Sequence, residues 1–324
     1  MEVALYGPGG FYQTPPIGPD LHFVTSPHVH PVFGELLARG VHELWEALGS
    51  PDPLHLTEVG AADGTLARSL LGHSEGFPVR YTAIERSPGA RASLAAIEGL
   101  DVRDRITTPI DLVLANELLD NLPFRILRGN REVRIGREGD RFVEVLAPAD
   151  ADLVGFVSDA EERVIPVGAF AFLDELADAL ERGFALLIDY GDVGTSGGPV
   201  HGYREHTVIE DVLATPGTAD ITSGVDFALV IAHAEARGLS ASPVLTQRDA
   251  LSALGFDDWS RGELRRQQVE LDTGGGREAV AAWSGRNQAG LLVDPTGLGR
   301  LRWLLLATGG LEPPTWWRRA EGSA

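Results

Sequence analysis

Three acidic stretches of this 324-residue chain hold residues whose types and spacing suit chemistry. The first, Leu54 to Leu66, reads L-H-L-T-E-V-G-A-A-D-G-T-L. Glu58, Gly60, Ala61 and Gly64 there combine a carboxylate with a small-residue turn. Free backbone amides at such a turn, and at the start of a helix after it, can hold an anion. Glu85 ends the next apolar run, and a carboxylate in that place can hold two ribose hydroxyls. The second stretch, L-A-N-E-L-L-D-N-L-P from Leu114 to Pro123, gathers an amide, Asn116, and two carboxylates, Glu117 and Asp120. The third is Asp189-Tyr190-Gly191, followed downstream by Tyr203, Arg204, His206, Asp220 and Asp226. Plainer readings stand beside these. The glycine turn could be structural, Asn116 could cap a short helix with Glu117 favouring its dipole, and His206 could be a surface loop residue.

The elements that must position these residues alternate. Strand Leu54–Val59 leads to helix Leu66–Leu71, strand Val79–Ile84 to helix Pro88–Ile97, and, after a weak strand near Val102, strand Asp111–Ala115 to a short helical turn at Glu117–Asn121. This rhythm predicts an α/β fold, a Rossmann-like, doubly wound, mostly parallel sheet with helices on both faces. Ligands bind at the carboxyl ends of such strands, where all three acidic groups fall. Residues 125 to 146 break the rhythm with two turn signals, Gly129-Asn130 and Gly139-Asp140, and read as an antiparallel hairpin insertion. A helix near Ala169–Arg182 and an apolar strand, Ala185–Asp189, resume it. Residues 191–224 form a long loop, with Asp220 to Ser223 as the cap of a helix from Val225 to Ala236. A strand near Val244, helices near Arg248–Leu254 and Gly262–Leu271, a strand near Leu301–Ala307 and a fraying tail close the chain.

Ahead of the sheet, residues 1–50 divide into a lid and a helix, and residues 51–324 form the main domain. The Gly- and Pro-rich start carries Phe11, Tyr12, Ile17, Phe23 and Val24, which favours a packed lid over a disordered tail. Thr25-Ser26-Pro27 is a cap with proline in the first turn. Phe33, Leu37, Val41, Leu44 and Leu48 then share one face of a helix from Pro31 to Leu48.

Composition narrows the chemistry. The net charge of −20 opposes binding to nucleic acid and favours a basic partner. All 27 Lys and Arg positions are arginine, so no lysine Schiff base or P-loop lysine is available. The chain has no cysteine, which excludes disulfides, zinc thiolates and thiol nucleophiles. His22, His28 and His30 cluster without ligand spacing, so no metal site is expected. The expected setting is cytoplasmic, with no run long and apolar enough for a membrane span.

The glycine turn is G-x-x-x-G, neither the G-x-G-x-x-G of a dinucleotide loop nor a Walker A motif. A ligand with a carboxylate and a ribose but no pyrophosphate is S-adenosylmethionine. The chain resembles the MidA-like class I S-adenosylmethionine-dependent methyltransferases, whose mitochondrial members are arginine methyltransferases acting in respiratory complex I assembly. The matching pieces are A-L-Y-G-P-G-G-F-Y, F-V-T-S-P, V-F-G-E-L, T-E-V-G-A-A-D-G-T-L, A-N-E-L-L-D-N-L-P, L-I-D-Y-G and P-G-T-A-D-I-T-S-G-V-D-F, in order along most of the chain. The resemblance implies that Gly60, Ala61 and Gly64 lie along the methionine part of the cofactor, and that Glu85 holds the ribose. Asn116 and Glu117 would stand where the methyl group meets its acceptor. Glu117 and Asp120, supported by Asp189 or Glu35, would grip an arginine of a protein substrate. A small-molecule acceptor, or a non-catalytic assembly protein on the same fold, are the alternatives. Two departures stand out: Ala62 replaces a usual glycine, and His28 follows Thr25-Ser26-Pro27 where the family has glutamate. Alanine at position 62 costs ~1–2 kcal/mol if the backbone there is left-handed.

Overall fold

Helix α1 (Glu2–Tyr6) and a 3-10 turn, Phe11–Gln13, open the chain, with Leu5 and Phe11 buried beside Ile221. The computed structural model describes residues 1–13, 25–157, 162–194, 199–204 and 207–322. Ile17, Phe23, Val24, His22 and His206 lie outside them. Two helices follow: α2 (Ser26–Val29), with Thr25 as cap and Pro27 in its first turn, and α3 (Val32–Ala47). α3 is held by one apolar face, on which Phe33, Leu36, Leu37, Val41 and Leu44 are all buried.

The alternating units come next: β1 (Leu54–Val59), α4 (Thr65–Gly72), β2 (Val79–Ile84), α5 (Pro88–Leu94), β3 (Leu100–Arg103) and β4 (Leu112–Asn116). The insertion consists of β5 (Arg125–Arg128), β6 (Arg131–Glu138), β7 (Arg141–Pro148) and β8 (Arg163–Ile165), paired antiparallel in the order β7-β6-β5-β8. α6 (Val167–Ala179) and β9 (Phe184–Asp189) return to the main sheet. The stretch after Tyr190 is partly regular, with β10 (Gly191–Asp192), β11 (Gly202–Arg204), β12 (Thr207–Ile209) and β13 (Val225–Asp226). The chain ends with α7 (Phe227–Ala236), β14 (Ser240–Ala241), β15 (Leu245–Thr246), α8 (Gln247–Ala253), α9 (Phe256–Asp272), α10 (Gly276–Gly290), β16 (Arg302–Ala307) and α11 (Thr315–Glu321).

The main sheet runs β14-β16-β9-β4-β1-β2-β3. From β9 to β3 every pairing is parallel, whereas β16 is antiparallel to β9 and to β14 and β15. Strand alternation splits the core into two layers. Leu112, Leu114, Phe184, Leu186 and Ile188 pack with α3, α4, α8 and α11, and Val113, Ala115, Ala185 and Leu187 pack with α6 and α7. The chain order reverses between β4 and β1, which opens a crevice at their carboxyl ends.

Several local expectations need correction. The cap of α7 is Asp226, whose side chain accepts from the Ala228 amide; Asp220 lies six residues upstream and serves elsewhere. No helix begins at Glu117. That residue has φ 53°, and only Leu119–Asn121 makes a 3-10 turn. α1, α10, α11 and β8 lack any counterpart in the sequence reading. Near the end of the chain α11 runs to Glu321 and buries Trp316 and Trp317 completely, and residues 323–324 of the expected fraying tail lie outside the described residues.

Candidate active site

The carboxyl ends of β1, β2, β4 and β9 meet at a cleft of about 1260 Å³. Its wall includes Glu58, Gly60, Ala61, Glu85, Asn116, Glu117 and Asp120, which come from three separate stretches of sequence. Gly64 is the exception among the sequence candidates. It caps α4 with φ 79°, and a Cβ there would meet Ile97 Cδ1 at 2.4 Å, so it serves the turn against α5 instead of lining the cleft. Glu35 is also elsewhere, paired with Arg39 one turn along α3 at 2.5 Å.

The turn after β1 is tightly used. The amides of Gly60 and Ala61 bond the Ile84 carbonyl, and Gly64 bonds the Ala61 carbonyl. The Ala62 amide donates to Glu85 Oε2 at 2.9 Å, and the Thr65 amide to Asp63 Oδ1 at 3.0 Å. The turn therefore offers fewer free amides than its glycine pattern suggests. Ala62 has φ 48°, so alanine does occupy a left-handed position. Glu85 also accepts from the Ser87 amide, and burial raises its pKa. Glu58 is almost wholly buried and accepts from the Tyr81 hydroxyl at 2.9 Å; burial pushes its pKa up to about 8.

Across the cleft stands an acidic group. Glu117 Oε1 accepts from the Ser26 amide at 3.0 Å and from Asn116 Nδ2 at 3.2 Å. Burial pushes its pKa up to about 7, with Asp120 adding to the shift. The left-handed backbone of Glu117 is held by its own amide, which donates to the Ile188 carbonyl at 2.7 Å. Asp120 accepts from the Thr222 hydroxyl at 2.9 Å through Oδ2. Asp189 adjoins it, fully buried, and accepts from the Leu119 amide at 2.6 Å. Burial raises the pKa of both carboxyls, and the neighbouring Asp120 raises that of Asp189 further. Asp120 Oδ1 and Asn116 Oδ1 are buried and without a hydrogen-bond partner.

Asp220, read in the sequence both as a member of the third acidic group and as part of a helix cap, lies in the cleft. Its Oδ1 accepts from the Ile221 amide at 2.8 Å and its Oδ2 from Asn121 Nδ2 at 3.1 Å; burial pushes its pKa up to about 7. The Tyr12 hydroxyl lies 2.7 Å from Asn121 Oδ1 and 3.0 Å from Asp220 Oδ1, which joins the N-terminal segment to this wall. Tyr6 stacks on Tyr12 with ring centroids 5.3 Å apart, and the Arg86 guanidinium covers Tyr6 at 4.6 Å. The sequence made Tyr12 a packed-lid residue and gave Asn121 no role, and neither was expected at the acidic wall. Their only signal was membership in the quoted motifs, because the contact spans more than a hundred residues. Glu117, Asp120 and Asp220 have no ion-pair partner among the described residues, although Arg86, Arg105 and Arg300 also line the cleft.

Comparison with known proteins gives this geometry a context. Residues 36–244 match the model of a family described as S-adenosyl-L-methionine-dependent methyltransferase. The mouse mitochondrial protein arginine methyltransferase NDUFAF7 is 30% identical, with 92% of this chain and 77% of the mouse protein covered. Its human counterpart is 29% identical over 79% of this chain and 69% of its own length. Among solved structures, a Burkholderia thailandensis protein bound to S-adenosyl-homocysteine has the same fold, with a TM-score of 0.82. The match covers 98% of this chain and 88% of that one at 24% identity.

Proposed function

The chain belongs to the S-adenosyl-L-methionine-dependent methyltransferase family, and from that premise we propose that it methylates a guanidinium nitrogen of arginine in a protein substrate. When bound, the cofactor supplies a methyl carbon whose bond to sulfur breaks, with the electron pair left on sulfur, as the acceptor nitrogen bonds to it. The residues at the β1–β2 edge suit such a ligand. Glu85 offers two carboxylate oxygens to ribose hydroxyls, and Glu58 and the unpartnered Asn116 Oδ1 offer acceptors to an ammonium group. Gly60, with φ 78°, keeps the turn open beside Leu118, which a Cβ would approach to 3.0 Å.

The observation that carries the acceptor assignment is a cluster of three acids, Asp220 buried and Glu117 and Asp120 half-buried, with no ion-pair partner among the described residues. Buried carboxylates are costly without a partner, and a guanidinium fork satisfies several at once. Methylation releases one proton from the charged guanidinium. Glu117 is the base for it: it is fixed by the Ser26 amide and the Asn116 side chain, and its pKa near 7 matches that task. The relatives named protein arginine methyltransferases support the same reading.

Incubating the protein with a cell lysate and tritiated S-adenosylmethionine tests it. Label recovered as methylarginine after acid hydrolysis of the protein fraction is the expected result. Label found only in the small-molecule fraction would overturn the assignment of a protein acceptor.

A further inference from the structure

His28 joins the lid to the cofactor turn. Its Nε2 lies 3.0 Å from Asp63 Oδ2 and 3.2 Å from Thr65 Oγ1, and its Nδ1 lies 2.9 Å from Thr25 Oγ1. The imidazole is nearly fully buried. The Thr65 hydroxyl already donates to Asp63 Oδ2 at 2.9 Å. Nε2 must therefore carry the proton, and it donates to the carboxylate. These partners hold the Asp63 carboxyl below its usual range despite partial burial.

The helix that carries His28 is itself bolted down. The Ser26 amide donates to Glu117, and the buried Ser26 hydroxyl donates to the buried Gln247 Oε1 at 3.2 Å. Gln247 in turn donates to the Leu292 carbonyl at 2.9 Å. α2 is thus fixed to the body of the protein and presents a preset donor to the turn. The turn needs one, because Ala62 sits there in a left-handed conformation that disfavours alanine. Glu85 holds the Ala62 amide on one side, and His28 holds the adjoining Asp63 on the other.

We propose that His28 is a positioning residue that clasps Asp63, holding the 60–64 turn in the shape that receives the cofactor. His28 also shares its helix with the amide that orients Glu117, so the clasp sets the cofactor turn and the acceptor-side base in one frame. This rests on the methyltransferase reading, and the test separates the two.

The measurement is calorimetric titration of the full chain with S-adenosyl-homocysteine, for the wild type, H28A, D63A, the H28A/D63A double variant and H28Q. Wild-type binding is required by the methyltransferase reading, and its absence would overturn that reading and the clasp with it. Given wild-type binding, H28A and D63A are each expected to weaken affinity about tenfold. The double variant should be no weaker than the poorer single variant, because each change breaks the same contact. H28Q places an amide donor near the position of Nε2 and should restore most of the affinity. Melting temperatures recorded alongside confirm that each variant is folded. Equal affinity of H28A and wild type, additive losses in the double variant, or no recovery in H28Q would each overturn the clasp.

Discussion

Glu117 combines three properties that rarely coincide by accident. It has a left-handed backbone, a half-buried carboxyl with two fixed donors and a pKa raised to about 7. Non-glycine residues in that backbone region cost free energy and persist where surrounding contacts over-determine them, often at functional sites. The Ser26 and Ile188 contacts provide that constraint. If Glu117 is the base proposed above it must be ionised, so methyl transfer is expected to rise with pH through about 7 and level off above it. The variant E117Q keeps an acceptor for the Ser26 amide but cannot take a proton. It should bind S-adenosyl-homocysteine within about twofold of wild type while losing roughly 10²–10⁴ in turnover, with no inflection near neutral pH. Single-turnover rates across pH 5.5–9 check both statements, and an E117Q enzyme of wild-type rate would remove Glu117 from the chemistry. Residues of this site were legible in sequence where type and strand position coincide, as for Glu58, Glu85 and Asn116. The contact between Asp220 and Tyr12 was not, because it depends on how two irregular segments pack.

At the scale of elements, strands were readable where an apolar run of about five residues stands out, as in β9 and β16. α10 was hidden because its buried positions are alanines, Ala279, Ala282 and Ala289, behind a run of glycines. α11 was hidden by its place after Pro313-Pro314 near the end of the chain, where fraying is the ordinary expectation. Yet α11 completes the core. Trp316 meets Trp303 edge-on at 6.0 Å, Trp303 meets Phe33 at 6.2 Å, and Trp317 donates to the Pro243 carbonyl. This aromatic file ties the C-terminal helix through the edge of the sheet to α3, the helix that follows α2. Replacing Trp316 by alanine removes a fully buried ring, and is expected to cost about 3–5 kcal/mol of stability. Urea titration of W316A should show the midpoint falling with its slope unchanged. A loss below ~1 kcal/mol would mean that α11 is a passive appendage.

The whole molecule carries a net charge of −20 and yet buries acids at the mouth of its own sheet. That arrangement gives the apoprotein a stability that falls with alkalinity. Burial pushes Glu58 up to about 8 and Glu117 and Asp220 up to about 7, all above the values they have in an unfolded chain. A carboxyl with a raised folded-state pKa contributes stability that is fully present below its unfolded pKa and is lost as pH rises through its folded pKa. The loss therefore spans about pH 4 to 8. Carboxylates held down by their partners, such as Asp63 and Glu132, act in the opposite sense but only at lower pH. The melting temperature of the apoprotein should thus decline between pH 5.5 and 8.5. General repulsion among surface acids acts in the same direction, so a variant must separate the two causes. E58Q removes one buried ionisation and leaves the surface nearly untouched. Its stability relative to wild type should rise by roughly 1–3 kcal/mol between pH 5.5 and pH 8.5, the order set by a shift of a few pKa units at a solvent-excluded site. Parallel wild-type and E58Q profiles would show that Glu58 is ionised at little cost, and would shift the alkaline loss onto net charge alone.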